Sequence, residues 1–338
     1  MEQFKGVTFG YYARNGYFSS PEAERQVEAI ASLGIPWVCL VTTVMQETFC
    51  STRIFRDFHQ TPGDDELVHI IGLLHRRGIR VMLRPMIECW DGTQRGNIHL
   101  PQGQIFPDRP FHYRTDWFRS YTDLTRHYTR IAEKTGCEAY GLDSELNQLA
   151  GASQDWLPVV DAARAAFHGH LTTSLIDTPQ FIRLLDDPNC WFYALDSVGS
   201  SMYAPASKTG GDDIPSMMRF IEPIVSRNRD FALKYGKLFY FGECGCCATE
   251  NATRLPYYWK NGRHYDGNEQ ANYMETVIRA FSAEPWWGGM FWWKWEEQNY
   301  RAEFHDDPAG DKGFTIDGKP AATIMKRWCD GSLLRPNP

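Results

Sequence analysis

The sequence predicts a (β/α)8 barrel built as a single domain over residues 1–338. Three observations carry that reading. Short apolar runs alternate with amphipathic stretches eight times; strict alternation implies a parallel sheet with helices outside, and eight pairs close a barrel. The first strand runs into Gly10-Tyr11-Tyr12, with no Gly-x-Gly-x-x-Gly after it and no phosphate-binding glycine loop elsewhere. That argues against a doubly wound open sheet. Finally, 338 residues are ample for one large core, and α/β barrels reach this size as one domain.

The elements follow in order. Lys5–Gly10 reads as a strand and Pro21–Leu33 as its helix, with proline near the start and Gly34 past the end. Trp37–Val44 is the second strand, rich in Val, Leu and Thr. Asp64–Arg77 is its helix, with Leu67, Ile70, Ile71 and Leu74 at helical spacing. Ile79–Met86 precedes a long connection, Ile87–Thr115, and the helix Asp116–Lys134. Glu138–Asp143 pairs with the helix Gln154–Phe167, and Leu171–Ile176 with Pro179–Leu185. Ala194–Tyr203 pairs with Ile214–Lys234, Leu238–Gly242 with Asn268–Phe281, and Gly289–Trp293 with Ala321–Trp328. Long connections in a compact domain are usually functional. The third, and the seventh from Cys244 to Gly267, are positioned to wall a cleft.

Charge and composition narrow the function. With 42 acidic and 35 basic residues the net charge is −7, which argues against nucleic acid or an anionic membrane as partner. No apolar run approaches the length of a membrane span. Met1–Lys5 lacks the basic and apolar regions of a secretory signal. Nine scattered cysteines, an odd number, read as reduced thiols, so a cytoplasmic location is expected. The oligomeric state is left open. Aromatic residues cluster at Trp286-Trp287 and at Phe291-Trp292-Trp293-Lys294-Trp295. Indole faces exposed at a pocket suit sugars, although any single Trp also suits a core.

In a barrel the chemistry sits past the C-terminal ends of the strands. Glu145 ends the fourth strand, in Asp143-Ser144-Glu145-Leu146-Asn147, and Glu243 ends the seventh, in Phe241-Gly242-Glu243-Cys244. Either acid alone suits a helix cap or a pair with a nearby arginine. Both together, on strands that face each other across the mouth, point to glycoside hydrolysis. A separation of ~5–5.5 Å gives retention, with one carboxyl as acid/base and the other as nucleophile.

The chain also resembles the clan A retaining glycoside hydrolases, and most closely the β-mannanases of glycoside hydrolase family 113. Thr61-Pro62-Gly63-Asp64-Asp65-Glu66-Leu67, Val81-Met82-Leu83-Arg84-Pro85-Met86, Asp91-Gly92-Thr93-Gln94-Arg95 and Asp196–Tyr203 carry the resemblance, together with Phe291–Trp295 and Gly318-Lys319-Pro320-Ala321. These matches occur in the family's order across residues 5 to 325. The resemblance implies Glu145 as acid/base and Glu243 as nucleophile. Two departures stand out. Ser144 occupies the position where clan A enzymes usually carry the asparagine that bonds the substrate 2-hydroxyl. That hydroxyl distinguishes mannose from glucose. Met86-Ile87-Glu88 replaces a histidine-containing turn, so Glu88 is placed either to bond a hydroxyl or to pair with Arg84 or Arg95.

Position suggests the supporting residues. Tyr203, at the sixth strand end, is placed to hold the nucleophile through its phenol. Asp91 and Arg95 are placed to grip hydroxyls. Trp293 or Trp295 is placed to floor the reacting subsite, with Trp90 and Trp259 as further stacking surfaces. The reading that follows is a retaining β-glycoside hydrolase acting on β-1,4-mannan or manno-oligosaccharides, without cofactor or metal. Glu145 is expected to have a raised pKa and Glu243 to stay ionised. The alternatives are another β-glycan, such as a galactan or glucan, and a non-catalytic sugar-binding barrel.

Other motifs read as structural. Cys244, Cys246 and Cys247 lack the spacing and the fourth ligand of a zinc site. His168-Gly169-His170 has the form of a metal motif but enters the fifth strand at the barrel bottom. Lys294 is a Schiff-base candidate only if desolvated and unpaired, and Glu296 and Glu297 are placed to keep it charged.

Overall fold

A computed structural model describes residues 3–101, 112–258, 264–297 and 310–335. Eight parallel strands close into a barrel in sequence order, with β1 pairing to both β2 and β8. They are β1 (Phe4–Phe9), β2 (Trp37–Gln46), β3 (Arg80–Cys89), β4 (Ala139–Gly141), β5 (His170–Ile176), β6 (Ser197–Met202), β7 (Leu238–Cys244) and β8 (Trp287–Trp292). Among the described residues seven α-helices surround them: α1 (Pro21–Ser32), α2 (Asp64–Arg76), α3 (Tyr113–Thr135), α4 (Ser153–Arg164), α5 (Ile214–Tyr235), α6 (Gly267–Ser282) and α7 (Pro320–Cys329). The predicted (β/α)8 fold is therefore the observed one.

Local chemistry sets the helix ends. Ser20 accepts a hydrogen bond from the Ala23 amide while Pro21 supplies the fixed φ of the first turn of α1. Asp266 accepts from the amides of Asn268 and Glu269 to start α6. Gly136 ends α3 in the left-handed conformation, at φ 73°.

One pair departs from the prediction. The segment expected as a fifth helix, Pro179–Leu185, is a 3-10 turn over Phe181–Asp186, followed by a second over Trp191–Ala194. Pro188 explains the break, because a proline disfavours the α conformation at the residue before it and cannot donate an amide. The second turn takes in Ala194, so β6 begins at Ser197 rather than at Ala194.

Each strand is buried on both faces, so β2 reads as ten consecutive buried residues. Outward residues such as Val7, Leu40 and Leu83 join the layer shared with Ile30, Ile70 and Leu74 of the helices. Inward residues at the strand starts fill the barrel. There Phe4 meets Trp37 edge-on at 5.0 Å and Tyr240 at 4.8 Å. This aromatic plug closes the bottom and leaves the strand ends as the face that can admit a ligand.

Candidate active site

Two local features aim the acids. β4 is only three residues long, yet the chain stays docked on β5, with the Leu142 amide donating to Thr172 and the Glu145 amide to Ser174, each at 2.8 Å. β4 ends at Gly141, where a Cβ would lie 2.8 Å from the Arg84 side chain, so glycine admits this close approach. Glu145 itself has φ 61°, a left-handed conformation rare outside glycine and asparagine and characteristic of functional sites. On β7 the register against β6 slips: Ser200 pairs with Phe241 and Ser201 with Glu243. Gly242 is the extra residue of this bulge, which turns the Glu243 side chain into the mouth.

The two carboxyls meet around one arginine. Arg95 Nη2 lies 3.6 Å from Glu145 Oε2 and 4.0 Å from Glu243 Oε1. Its Nη1 is anchored on Glu88, and its guanidinium lies over the Tyr11 ring. Burial works against the Arg95 charge, and Glu88, Glu145 and Glu243 outweigh it. Glu243 accepts two further hydrogen bonds, from Ser144 Oγ to Oε1 and from the Tyr203 phenol to Oε2, each at 3.0 Å. Glu145 Oε2 accepts from the Gln94 amide at 3.3 Å.

Burial pushes the Glu243 carboxyl up to about 7, and the charge of Glu145 adds to the rise; Arg95, Arg84 and the Ser144 hydrogen bond oppose it. The expectation that Glu243 would stay ionised is thereby corrected, since its carboxyl takes up a proton as pH falls through about 7. Glu243 is the deeper group, its side chain 4% exposed against 11% for Glu145, so desolvation falls more heavily on it. Beneath them, burial also drives Asp143 up to about 7, against the pull of Arg84. Arg84, itself fully buried, donates to the Gly242 carbonyl and the Tyr240 phenol, each at 3.1 Å.

A cavity of about 670 Å³ opens over the pair, walled by Tyr11, Gln94, Arg95, Tyr203, Trp293 and Phe314. It extends along Ile176 and the Asp177–Arg227 ion pair. A second cavity of about 680 Å³, lined by Tyr12, Lys294, Glu296 and Asp311, adjoins it across Tyr11, Trp293 and Phe314. Such concave, aromatic-walled sites with a few convergent polar groups are where ligands bind.

The sequence-predicted residues divide accordingly. Glu145, Glu243, Ser144, Tyr203, Arg95 and Trp293 come together, and Glu88 joins them by pairing with Arg95 and accepting from the Tyr11 phenol at 2.8 Å. Asp91 does not join them; it is exposed and accepts from the Thr93 amide at 2.9 Å. Trp295 is fully buried, its indole donating to Gln26 at 2.7 Å, so it floors no subsite. Trp90 is 61% exposed and turned toward Phe55, outside both cavities. Trp259 lies outside the described residues.

Sequence reasoning missed Tyr11, Gln94, Phe314 and the Asp177–Arg227 pair. Tyr11 and Asp177 each lie just past a strand end, so the rule that found Glu145 also reaches them. Phe314 lies far from any strand end and carries no such signal.

His168 pairs with Glu133 and His170 contacts Ser197, both at the strand starts. Cys244, Cys246 and Cys247 are buried. Lys294 is buried with its ammonium 2.6 Å from Glu297 and 3.2 Å from Glu296, and these carboxylates outweigh desolvation and keep it protonated. Among the described residues no helix is long and apolar enough to cross a membrane.

Known proteins agree with this architecture. The family model for Glycoside Hydrolase Family 113 matches residues 7–319. A GH113 β-1,4-mannanase solved as a complex superposes with a TM-score of 0.83 at 26% identity, covering 98% of this chain and 99% of that one. A GH113 β-mannanase from Alicyclobacillus acidocaldarius, solved with ManMIm, gives the same TM-score and identity over 98% of each chain. A family 5 mannosidase from Rhizomucor miehei shares the fold at 12% identity, with a TM-score of 0.63 over 98% of this chain and 94% of that one. No curated protein matches the chain. The family match spans the barrel from β1 to the start of α7, and the chain belongs to glycoside hydrolase family 113.

Proposed function

We propose that the whole chain works as one retaining β-glycosidase domain on β-1,4-linked mannan or manno-oligosaccharides, with Glu243 as nucleophile and Glu145 as acid/base. The observation that carries this reading is the pair itself: two carboxyls from opposite strand ends share one guanidinium beneath an aromatic-walled cavity. The similarity to structures described as β-mannanases supports the substrate class.

The Glu243 carboxylate attacks the anomeric carbon while the glycosidic C–O bond breaks. Glu145 gives its proton to the departing oxygen. Glu145, now a carboxylate, then takes a proton from water, whose oxygen attacks the anomeric carbon and releases Glu243. Hydrogen bonds from Ser144 and Tyr203 favour the charged form of Glu243 that attacks, against the burial that raises its carboxyl. Trp293 offers an apolar face to the reacting sugar. All nine cysteines are free thiols. This fits a reducing compartment, where short imported oligosaccharides are the substrates.

A panel of soluble mannan, galactan, glucan and short oligosaccharides, with the first product followed by NMR, tests the assignment. Cleavage of manno-oligosaccharides with the β-anomer appearing first is expected. Preferential cleavage of galactan or glucan would move the substrate to another β-glycan. An α-anomer appearing first would indicate inversion.

Glu243 attacks as the carboxylate, and burial raises its carboxyl to about 7, so kcat/KM is expected to rise on the acid side as Glu243 ionises toward neutral pH. Tyr203→Phe removes a donor that favours the Glu243 carboxylate. More of the nucleophile is then protonated at neutral pH. The expected result is ~10-fold lower kcat/KM at neutral pH with the acid limb displaced upward, since a hydrogen bond to a charged group is worth about that much. An unchanged limb would mean that Tyr203 does not govern Glu243.

A further inference from the structure

The loop after β3 sends two consecutive donors to the same oxygen of Glu145. The Gln94 amide nitrogen is 3.3 Å from Oε2, and Arg95 Nη2 is 3.6 Å from it. Neither group is free to turn. The Gln94 carbonyl oxygen accepts from the Gly96 amide at 2.9 Å, so the nitrogen end of the carboxamide must face Glu145. Arg95 is fixed through Glu88, which also accepts from Tyr11. Among the described residues no hydrogen bond falls on the other oxygen, Oε1.

We propose that Gln94 is a positioning residue that dictates which oxygen of the acid carries the proton. An N–H donates best to the carbonyl oxygen of a carboxylic acid, because the hydroxyl oxygen already holds a hydrogen. With the Gln94 amide hydrogen-bonded to Oε2 and the Arg95 guanidinium close beside it, the proton resides on Oε1, the oxygen left to face the leaving group. When the proton departs, the developing negative charge is shared with Oε2, where both donors already stand. Gln94 thus acts through Glu145 and touches no reacting atom. This assignment rests on Glu145 being the acid/base.

The packing around Gly96 supports a built arrangement. A Cβ at Gly96 would lie 2.8 Å from Gln94 Oε1, 3.1 Å from the Glu145 carbonyl oxygen and 3.2 Å from Ile176. Glycine therefore lets the carboxamide, the acid's backbone and β5 converge, and a single methyl group would displace Gln94 without deleting it.

The test is a leaving-group comparison. Gln94→Leu and Gly96→Ala are each assayed on an unactivated manno-oligosaccharide and on a dinitrophenyl β-mannoside, beside Glu145→Ala. Gln94 is solvent-exposed, so its replacement leaves the core intact. Gln94→Leu is expected to lose about 10- to 100-fold in kcat on the oligosaccharide, a hydrogen bond's worth to a charged group, with KM little changed. The loss on the activated glycoside should stay within about 2-fold, because that leaving group needs little protonation. Gly96→Ala should show the same split. Equal losses on both substrates, a change confined to KM, or no loss would each overturn the proposal, marking Gln94 as a sugar contact or a bystander. If Glu145→Ala itself shows no split, the acid/base assignment fails first and takes this proposal with it. A split in Glu145→Ala but not in Gln94→Leu would reject Gln94 alone.

Discussion

Glu243→Ala should abolish turnover on every glycoside, by about 10⁴- to 10⁶-fold, the range reached when one member of a covalent catalytic unit is removed. The loss is chemical and not a failure to fold. A carboxyl whose pKa is raised by burial works against folding as it ionises. Below its ordinary value of 4.5 it is protonated in both states and costs nothing. As pH rises toward about 7 the unfolded chain gains the advantage of an ionised, solvated carboxylate, and above that the penalty is constant. Removing the group removes the penalty. The inactive variant should therefore melt no lower than the parent at pH 8, and the difference between the two should shrink as pH falls toward 4. An inactive variant that melts well below the parent at pH 8 would assign Glu243 a structural role instead.

Glu145→Ala should behave differently. It loses leaving-group protonation, worth ~10²–10⁴-fold for a general acid. On manno-oligosaccharides the first step slows by that amount. On activated phenol glycosides the first step survives, and release of the glycosyl-enzyme becomes limiting because no base activates water. A burst of phenol equal to the enzyme concentration, followed by a slow steady state, is the kinetic signature. A non-catalytic sugar-binding barrel would show neither the burst nor any change on substitution.

Much of this site is legible in the sequence because strand ends are. Parallel strands buried on both faces write themselves as apolar runs, and the polar residue that interrupts each run marks the mouth. Glu145, Glu243 and Tyr203 emerge from that rule alone. It fails where the chain leaves the strand. Trp293 and Trp295 share the two-residue period and should face the same way, but β8 ends at Trp292 and the turn beyond it drives Trp295 into the core. Trp90 fails likewise, one residue past the end of β3.

The depth of a carboxyl is another thing that sequence does not encode. The prediction kept Glu243 ionised because the mechanism needs a carboxylate nucleophile, whereas burial beside the bulge at Gly242 raises its carboxyl. The convergence of Gln94 and Arg95 on one oxygen depends on the left-handed backbone at Glu145 and on space at Gly96, neither of which has a pattern to read.

The division of labour between the two acids is tested most directly by the configuration of glycosyl azide formed by each alanine variant. With Glu145→Ala, Glu243 still forms the covalent intermediate, and azide attacks it to give the β-glycosyl azide with configuration retained. With Glu243→Ala, azide enters the vacated space, attacks the substrate directly and gives the α-glycosyl azide. Those two products are the predicted result. The reverse pairing, α from Glu145→Ala and β from Glu243→Ala, would show that the nucleophile and the acid have been exchanged.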